Sequence, residues 1–296
     1  MSLITSSIGQ GLLWSILALG VFLTFRILNF PDMTVEGTFP LGAVVTVSAL
    51  THGVSPLFST LLALFAGCLS GLVTGVLYTK LKIPILLAGI LTMTALYSIN
   101  LRILGKATVG LLDISTIFSY FDYLTPNFQL VFLGIAITTL VVFAIVLFLN
   151  TELGQAFIAT GDNQKMAHSL GINTDAMKIL GLMLGNGLVG LSGGLLAQNN
   201  GYADVSMGIG TIVIGLAAII IGEVLYGPLS LSARLVAVVC GSILYRLVLL
   251  AVLQLGFNTN DFKLISTIIL TLCLSLPTLE QKFKIRQTFS KGSSKQ

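Results

Sequence analysis

The sequence predicts an all-α, polytopic transmembrane helical bundle of about nine spans, built as an inverted internal repeat with short, broken helices. Three observations carry that expectation. Over 296 residues the chain is 55% hydrophobic and 9% charged, with a mean hydropathy of +1.00, too little polar material to cover a soluble particle. Its apolar runs suit a hydrocarbon core of roughly 30 Å, and several are apolar on every face, unlike the alternating strands of a barrel. Two similar glycine-bearing turns recur, one in each half of the chain.

The expected spans lie near 8–28, 38–52, 55–79, 83–104, 128–149, 177–199, 208–226, 231–255 and 262–278. The first follows "MSLITSSIGQG", which lacks the positive region of a secretory signal, so it is expected to be retained as a span. The second and seventh are short and punctuated by Gly37, Pro40 and Gly42, and by Gly208, Gly210, Gly215 and Gly222. That is the mark of broken or re-entrant helices lining a midplane pathway. The sixth, "GLMLGNGLVGLSGGLLAQ", spaces Gly181 and Gly185, and Gly190 and Gly194, four residues apart, which lets helix backbones approach closely in lipid. Asn186, Ser192 and Gln198 interrupt it, and at membrane depth they face the protein interior: they either line a route or bond neighbouring helices. Arg246 in the eighth span is expected to form a structural pair or snorkel, ahead of touching substrate. Cys68, Cys240 and Cys273 lie in separate apolar runs and read as small hydrophobes, without metal or disulfide spacing.

Lysine and arginine in the short loops set the orientation. The tail 279–296 holds Lys282, Lys284, Arg286, Lys291 and Lys295 and is expected to be cytoplasmic. Counting spans back places Lys80, Lys82 and the polar insert at 150–177 on the same side. The loop after Arg102 and the N-terminus then lie outside. The expected setting is a bacterial cell membrane crossed many times.

"DMTVEGTFPLGAVV" from Asp32 and "DVSMGIGTIVIGLAAI" from Asp204 share an aspartate, a hydroxyl two residues later, a glycine about five residues on (Gly37; Gly208) and a short apolar run. Five spans separate them on the count above, and an odd number makes the copies enter from opposite faces. The competing reading is a chance likeness between two glycine-rich turns.

Catalytic chemistry is not supported. The chain lacks HExxH, GxxxxGK[ST] and paired carboxylates within one span, and His52 and His168 fall outside the expected spans. No metal ligand set is expected. Glu223 and Arg234 flank the turn "EVLYGPLSLSAR" and are expected to pair across it. With so few charges in the spans, energy for transport is expected from another chain.

The insert "IATGDNQKMAHSLGIN" has helix-start signals at Thr151 and at Asp162 with Asn163, a stop at Gly171, and apolar Phe157, Ile158, Met166, Ala167 and Leu170 between polar neighbours. A short amphipathic helix offering one apolar stripe to a partner fits this pattern. The alternative is a helix resting on lipid head groups. It is weakened because Asp162 and Asn163 would meet an anionic leaflet with only Lys165 nearby.

"AFIATGDNQKMAHSLGIN" resembles the cytoplasmic coupling segment of permease subunits of ABC importers of the branched-chain amino acid and ribose type, with Ala159, Gly161, Asp162, Asn163, Ala167, Gly171 and Ile172 at matching positions. "DMTVEGTFPLGA", "GILTMTALYSINLRILG" and "NGLVGLSGGLLAQNNGYADVSMGIGTIVIGLAAIIIGE" extend the likeness, and the last two resemble the tryptophan/tyrosine-type branch. The resemblance implies a homodimer, a cytoplasmic ABC ATPase dimer docked on the insert, and an extracytoplasmic binding protein that delivers a small solute, an amino acid or a related compound. ATP and Mg would reside on the ATPase, with no cofactor or nucleic acid on this chain. Coupling is expected through Ala159, Gly161, Asp162, Asn163, Met166, Ala167, Leu170 and Gly171. The pathway is expected near Thr92, Tyr97, Asn100, Asn186 and Gln198. Related members often have about ten spans and a cytoplasmic N-terminus, so nine spans imply one N-terminal helix fewer. The alternative function is an ion-coupled secondary transporter working without an ATPase.

Overall fold

The computed structural model describes residues 2–112, 114–121, 125–227 and 229–254, with isolated helical positions at 264, 267, 268 and 271. The expected ninth span at 262–278, apart from those four positions, and the basic tail lie outside the described residues. Helix α1 (Ser2–Val21) continues through a π-helical turn (Phe22–Ile27). Then come α2 (Val35–Thr51), α3 (Pro56–Thr79), α4 (Ile85–Leu104), strand β1 (Thr108–Gly110), a 3-10 turn (Ile117–Phe121) and α5 (Pro126–Asn150). The second half holds α6 (Glu152–Asp162), α7 (Gln164–Ser169), α8 (Thr174–Asn200), strand β2 (Tyr202–Asp204), α9 (Thr211–Tyr226) and α10 (Leu231–Gln254).

Local chemistry explains the boundaries. Pro56 and Pro126 open α3 and α5 at their first positions, where the missing N–H costs no helical bond. Thr151, Asn163 and Asn173 cap α6, α7 and α8 by accepting from the backbone N–H of Gly154, Met166 and Ala176. Gly105 and Gly201 close α4 and α8 in the left-handed conformation that glycine adopts without penalty.

Among the described residues, six helices are long and apolar enough to cross a bilayer, from Leu3–Ile27 to Leu231–Gln254, and α2 and α9 are shorter apolar helices. Eight of the expected spans are thus matched. The best-buried are Leu3–Ile27 and α8, at 78% and 72%, against 28% for α4 and 33% for α5. The first two therefore form the centre, and α4 and α5 line the outside. Helix α8 packs against α3 on one side and against α1 and α2 on others. Glycines set those distances: a methyl on Gly42 would overlap the Gly190 carbonyl, one on Gly67 the Asn186 carbonyl, and one on Gly20 would sit 2.5 Å from the Gly185 oxygen. In lipid, apolar burial gives no net drive between helices, so close van der Waals packing holds them.

The two short helices run in opposite directions. Helix α2 ends beside the antiparallel β1–β2 ladder, where Leu50 packs with Leu111 and Ala203. Helix α9 ends where Glu223 meets Arg26, next to Ile27 and the α6–α7 segment. In both, the aspartate of the preceding turn accepts from the backbone N–H two residues on, Asp32 from Thr34 at 2.9 Å and Asp204 from Ser206 at 2.7 Å. The inverted repeat therefore extends to a shared Asx turn ahead of each half-length helix.

Two expectations are corrected. Residues 152–169 form two helices rather than one, because Asn163, extended at φ −151°, ends α6 and caps α7. Glu223 pairs with Arg26 (Nε to Oε1, 2.7 Å) and not with Arg234. Helix α9 lies parallel to α1, with Gly215 against Leu17 and Val21, and this brings Glu223 level with Arg26.

Candidate functional site

The α6–α7 segment is anchored at its base and bare at its tip. Phe157 is fully buried in the main core, its ring tilted against Phe148. Gly161 lies so close to α1 that a side chain there would overlap the Ile27 carbonyl, and its own carbonyl accepts from Asn29 Nδ2 at 3.2 Å. Beyond Asn163 the direction changes. Ala167 stays buried, but Met166 and Leu170 are 50% and 70% exposed. Gly171, at φ +84°, turns the chain toward α8. Ala159 is half-buried, whereas Asp162 and Asn163 are exposed. Of the eight expected coupling residues, Asp162, Asn163, Met166, Leu170 and Gly171 are exposed, Ala159 and Gly161 are half-buried, and Ala167 is buried.

A buried polar network crosses the bundle near mid-height. Asn186, close to the middle of α8, donates from Nδ2 to Asp32 Oδ2 at 2.6 Å and accepts from Thr38 Oγ1 at 2.9 Å. Thr38 also bonds Ser70 at 2.7 Å. A second line runs from Thr34 to Thr74 at 2.8 Å and from Thr74 to Thr92 at 2.9 Å. Asp32, Thr34, Thr38, Asn186, Ser70, Thr74 and Thr92 are all buried. Each polar group thus finds the partner that membrane depth demands.

The expected pathway residues separate into two environments. Thr92 and Asn186 belong to this network. Asn100 is buried and donates to the Gly37 carbonyl at 3.3 Å, while its Oδ1 has no partner among the described residues. Gln198 accepts from Ile117 N–H and donates to Thr60 Oγ1, both at 2.9 Å, fastening the 3-10 turn to α8 and α3. Tyr97 differs, being 56% exposed on α4 beside exposed Thr94 and Ser98. Helix α4 buries only a narrow stripe, Ala88, Gly89, Thr92, Leu96 and Asn100. Its outward face is mixed polar and apolar.

The two repeat turns meet inside the bundle. Glu36, in the first turn of α2, accepts from the N–H of Gly210 at 2.9 Å, just ahead of α9. A side chain on Gly208 would overlap the Glu36 carbonyl, and one on Gly37 would press on the Met93 backbone. The Glu36 carboxylate thus lies at two helix N-termini, whose positive dipole ends favour it. No sequence pattern singles out Glu36; the available signal is an acid at the start of a short, broken helix. On α10, the Arg246 guanidinium stands over the Trp14 ring, 4.6 Å from its centre, with Nε buried and without a hydrogen-bond partner among the described residues. Trp14 in turn stacks on Phe39.

Asp204 lies outside the spanning helices and ties the ladder together. It accepts from the hydroxyls of Ser206 and Thr108 as well as from the Ser206 N–H. Partial burial pushes its pKa up, but the hydrogen bonds from Ser206 and Thr108 outweigh that and hold it below the usual carboxylate value. Among the described residues no cluster of His, Cys, Asp and Glu could hold a metal.

Residues 3–274 match the family described as branched-chain amino acid transport system / permease component. The chain is 43% identical over 284 residues to the tyrosine transport system permease protein of Clostridioides difficile, covering 96% of this chain and 94% of that one. It is 32% identical over 283 residues to an uncharacterized protein of Rickettsia prowazekii, covering 93% and 98%. A third relative, the autoinducer 2 import system permease protein LsrC of Yersinia pseudotuberculosis, is 32% identical over 62% of this chain and 51% of its own length. No solved structure matches.

Proposed function

Because the chain belongs to the family of permease components of branched-chain amino acid transport systems, we propose that it is the membrane-spanning subunit of an ATP-driven importer, moving a small solute through a homodimer by alternating access. The α6–α7 segment carries this reading: Met166 and Leu170 present apolar surface at its tip, and Phe157 and Gly161 lock its base into the bundle. A self-sufficient carrier has no use for such a handle. It suits the groove of a cytoplasmic ABC ATPase dimer, which would hold the ATP and Mg. An extracytoplasmic binding protein would deliver the solute at the opposite face, beside the β1–β2 ladder.

The contacts suggest a route for the motion. Closure of the paired ATPases would press on α7, and Asn163 links α7 to α6. Gly161, against Ile27 and Asn29, would pass the push to the π-helical turn and the Asp32 turn. From there it reaches α2, and the Glu36 to Gly210 bond joins α2 to α9. Such coupling needs contacts that differ between the inward and outward states. The mixed face of α4, with Thr94, Tyr97 and Ser98, suits a surface shared by two copies along the route. The tyrosine permease at 43% identity supports an amino acid, an aromatic one, as the solute.

The test is uptake into proteoliposomes holding this chain, its ATPase and its binding protein, with tyrosine first. Uptake that requires ATP and survives an ionophore supports the importer. Uptake by this chain alone, driven by an ion gradient and stopped by the ionophore, makes it a secondary transporter.

A further inference from the structure

A cavity of about 270 Å³ opens at the α7 end of the bundle, between the α3–α4 turn and the first turn of α8. Its polar lining is Tyr78, Thr79, Lys82, Gln164, Asp175 and Lys178. The Lys178 side chain is only 6% exposed, and its ammonium lies 5.1 Å from the centre of the Tyr78 ring and 5.9 Å from that of Phe30. Its one ion-pair partner among the described residues is Asp175, at 3.9 Å, and the opposite oxygen of that carboxylate lies 3.6 Å from Lys82 Nζ. Both separations exceed a charge-assisted hydrogen bond, which runs about 2.7–2.9 Å. Two ammonium groups therefore share one carboxylate loosely, and among the described residues the pocket lining keeps one positive charge in excess. Lys82 is held at φ +55°, a conformation a long side chain rarely adopts, which points to a constrained turn.

The surroundings select the ligand. Leu81, Leu86 and Leu87, within three residues of the lining Lys82 and Pro84, are 63%, 43% and 51% exposed. A soluble anion would leave those leucines bare, whereas a lipid would place its head group in the pocket and its acyl chains against them. Basic pockets between helices at the cytoplasmic surface are suited to anionic lipid head groups. We propose that this pocket binds the phosphate of an anionic phospholipid through Lys82 and Lys178, with the Tyr78 hydroxyl and Gln164 as further donors. The bound lipid would brace the α3–α4 turn against α8, next to the segment that docks the ATPase. The choice of leaflet rests on the orientation proposed above; the binding chemistry does not.

The experiment is native mass spectrometry and thermal unfolding of the full chain in neutral detergent, with phosphatidylglycerol, phosphatidylcholine or inorganic phosphate added. Detergent removes sidedness, so a failure here refutes the pocket without touching the importer reading, which the uptake assay decides. The expected result is preferential retention of phosphatidylglycerol and a raised melting temperature. Lys82→Gln, at an exposed position, should weaken retention about fivefold, the contribution of one lysine at an anionic surface. Lys178→Gln should do the same or more, and Lys178→Arg should restore it. Equal retention by wild type and Lys82→Gln would overturn the proposal. So would stabilisation by inorganic phosphate with none from phosphatidylglycerol.

Discussion

Asn186 shows what one buried amide does in a membrane protein. It satisfies Asp32 and Thr38 at once, inside a bundle where water cannot substitute. Asn186→Leu keeps the size and removes both bonds, so it should destabilise the fold by about 1–3 kcal/mol, read as a lower unfolding midpoint in detergent. An unchanged midpoint would mean that Asp32 has another partner. Asp204 sits at the opposite extreme, near the surface. Its folded pKa is depressed, so the stability it contributes is complete above its ordinary value, about 4. That contribution is lost as pH falls through the lower folded value. Asp204→Asn should therefore melt below wild type at neutral pH, and the gap should close under more acidic conditions. A gap independent of pH would show that the charge plays no part.

At the scale of elements, the α6–α7 segment is anchored at its base and bare at its tip, the surface that the proposed function assigns to the ATPase. Met166→Glu with Leu170→Glu should cut recovery of the ATPase with the permease by at least about tenfold, since burying one such side chain is worth about 1.5–3 kcal/mol. The melting temperature should be unchanged, because both side chains are exposed. Undiminished recovery would move the docking site elsewhere. Helix α8 is the opposite kind of element, defined by what it touches. Gly42→Ala should destabilise by about 1–3 kcal/mol through overlap with the Gly190 backbone. Gly110→Ala, whose new methyl meets only the Gly201 oxygen at 3.8 Å, should be close to neutral. The insert was legible as apolar residues with helix-start signals at Thr151 and at Asp162 with Asn163. That the second signal divides it into two helices was not, because capping by Asn163 depends on backbone geometry that residue identity only permits.

At the scale of the whole molecule, the repeat predicts sidedness. In a cysteine-free background, His52→Cys beyond α2 and Tyr226→Cys at the end of α9 should label from opposite sides with an impermeant maleimide. His52→Cys should react in intact cells, and Tyr226→Cys only after permeabilisation. Labelling from one side would refute the inverted arrangement. Eight apolar helices, six of them long enough to span, the paired aspartate turns and the insert could be read from the linear chain, because lipid imposes length and apolarity on each span separately and turns are coded by neighbouring residues. Whether Asn186 and Gln198 line a route or brace helices could not be read that way, nor could the partner of Glu223 or the meeting of Glu36 with Gly210. Those depend on contacts between residues 81 to 197 positions apart. Every polar residue in an apolar helix looks alike until packing chooses its partner, and that choice belongs to the folded bundle.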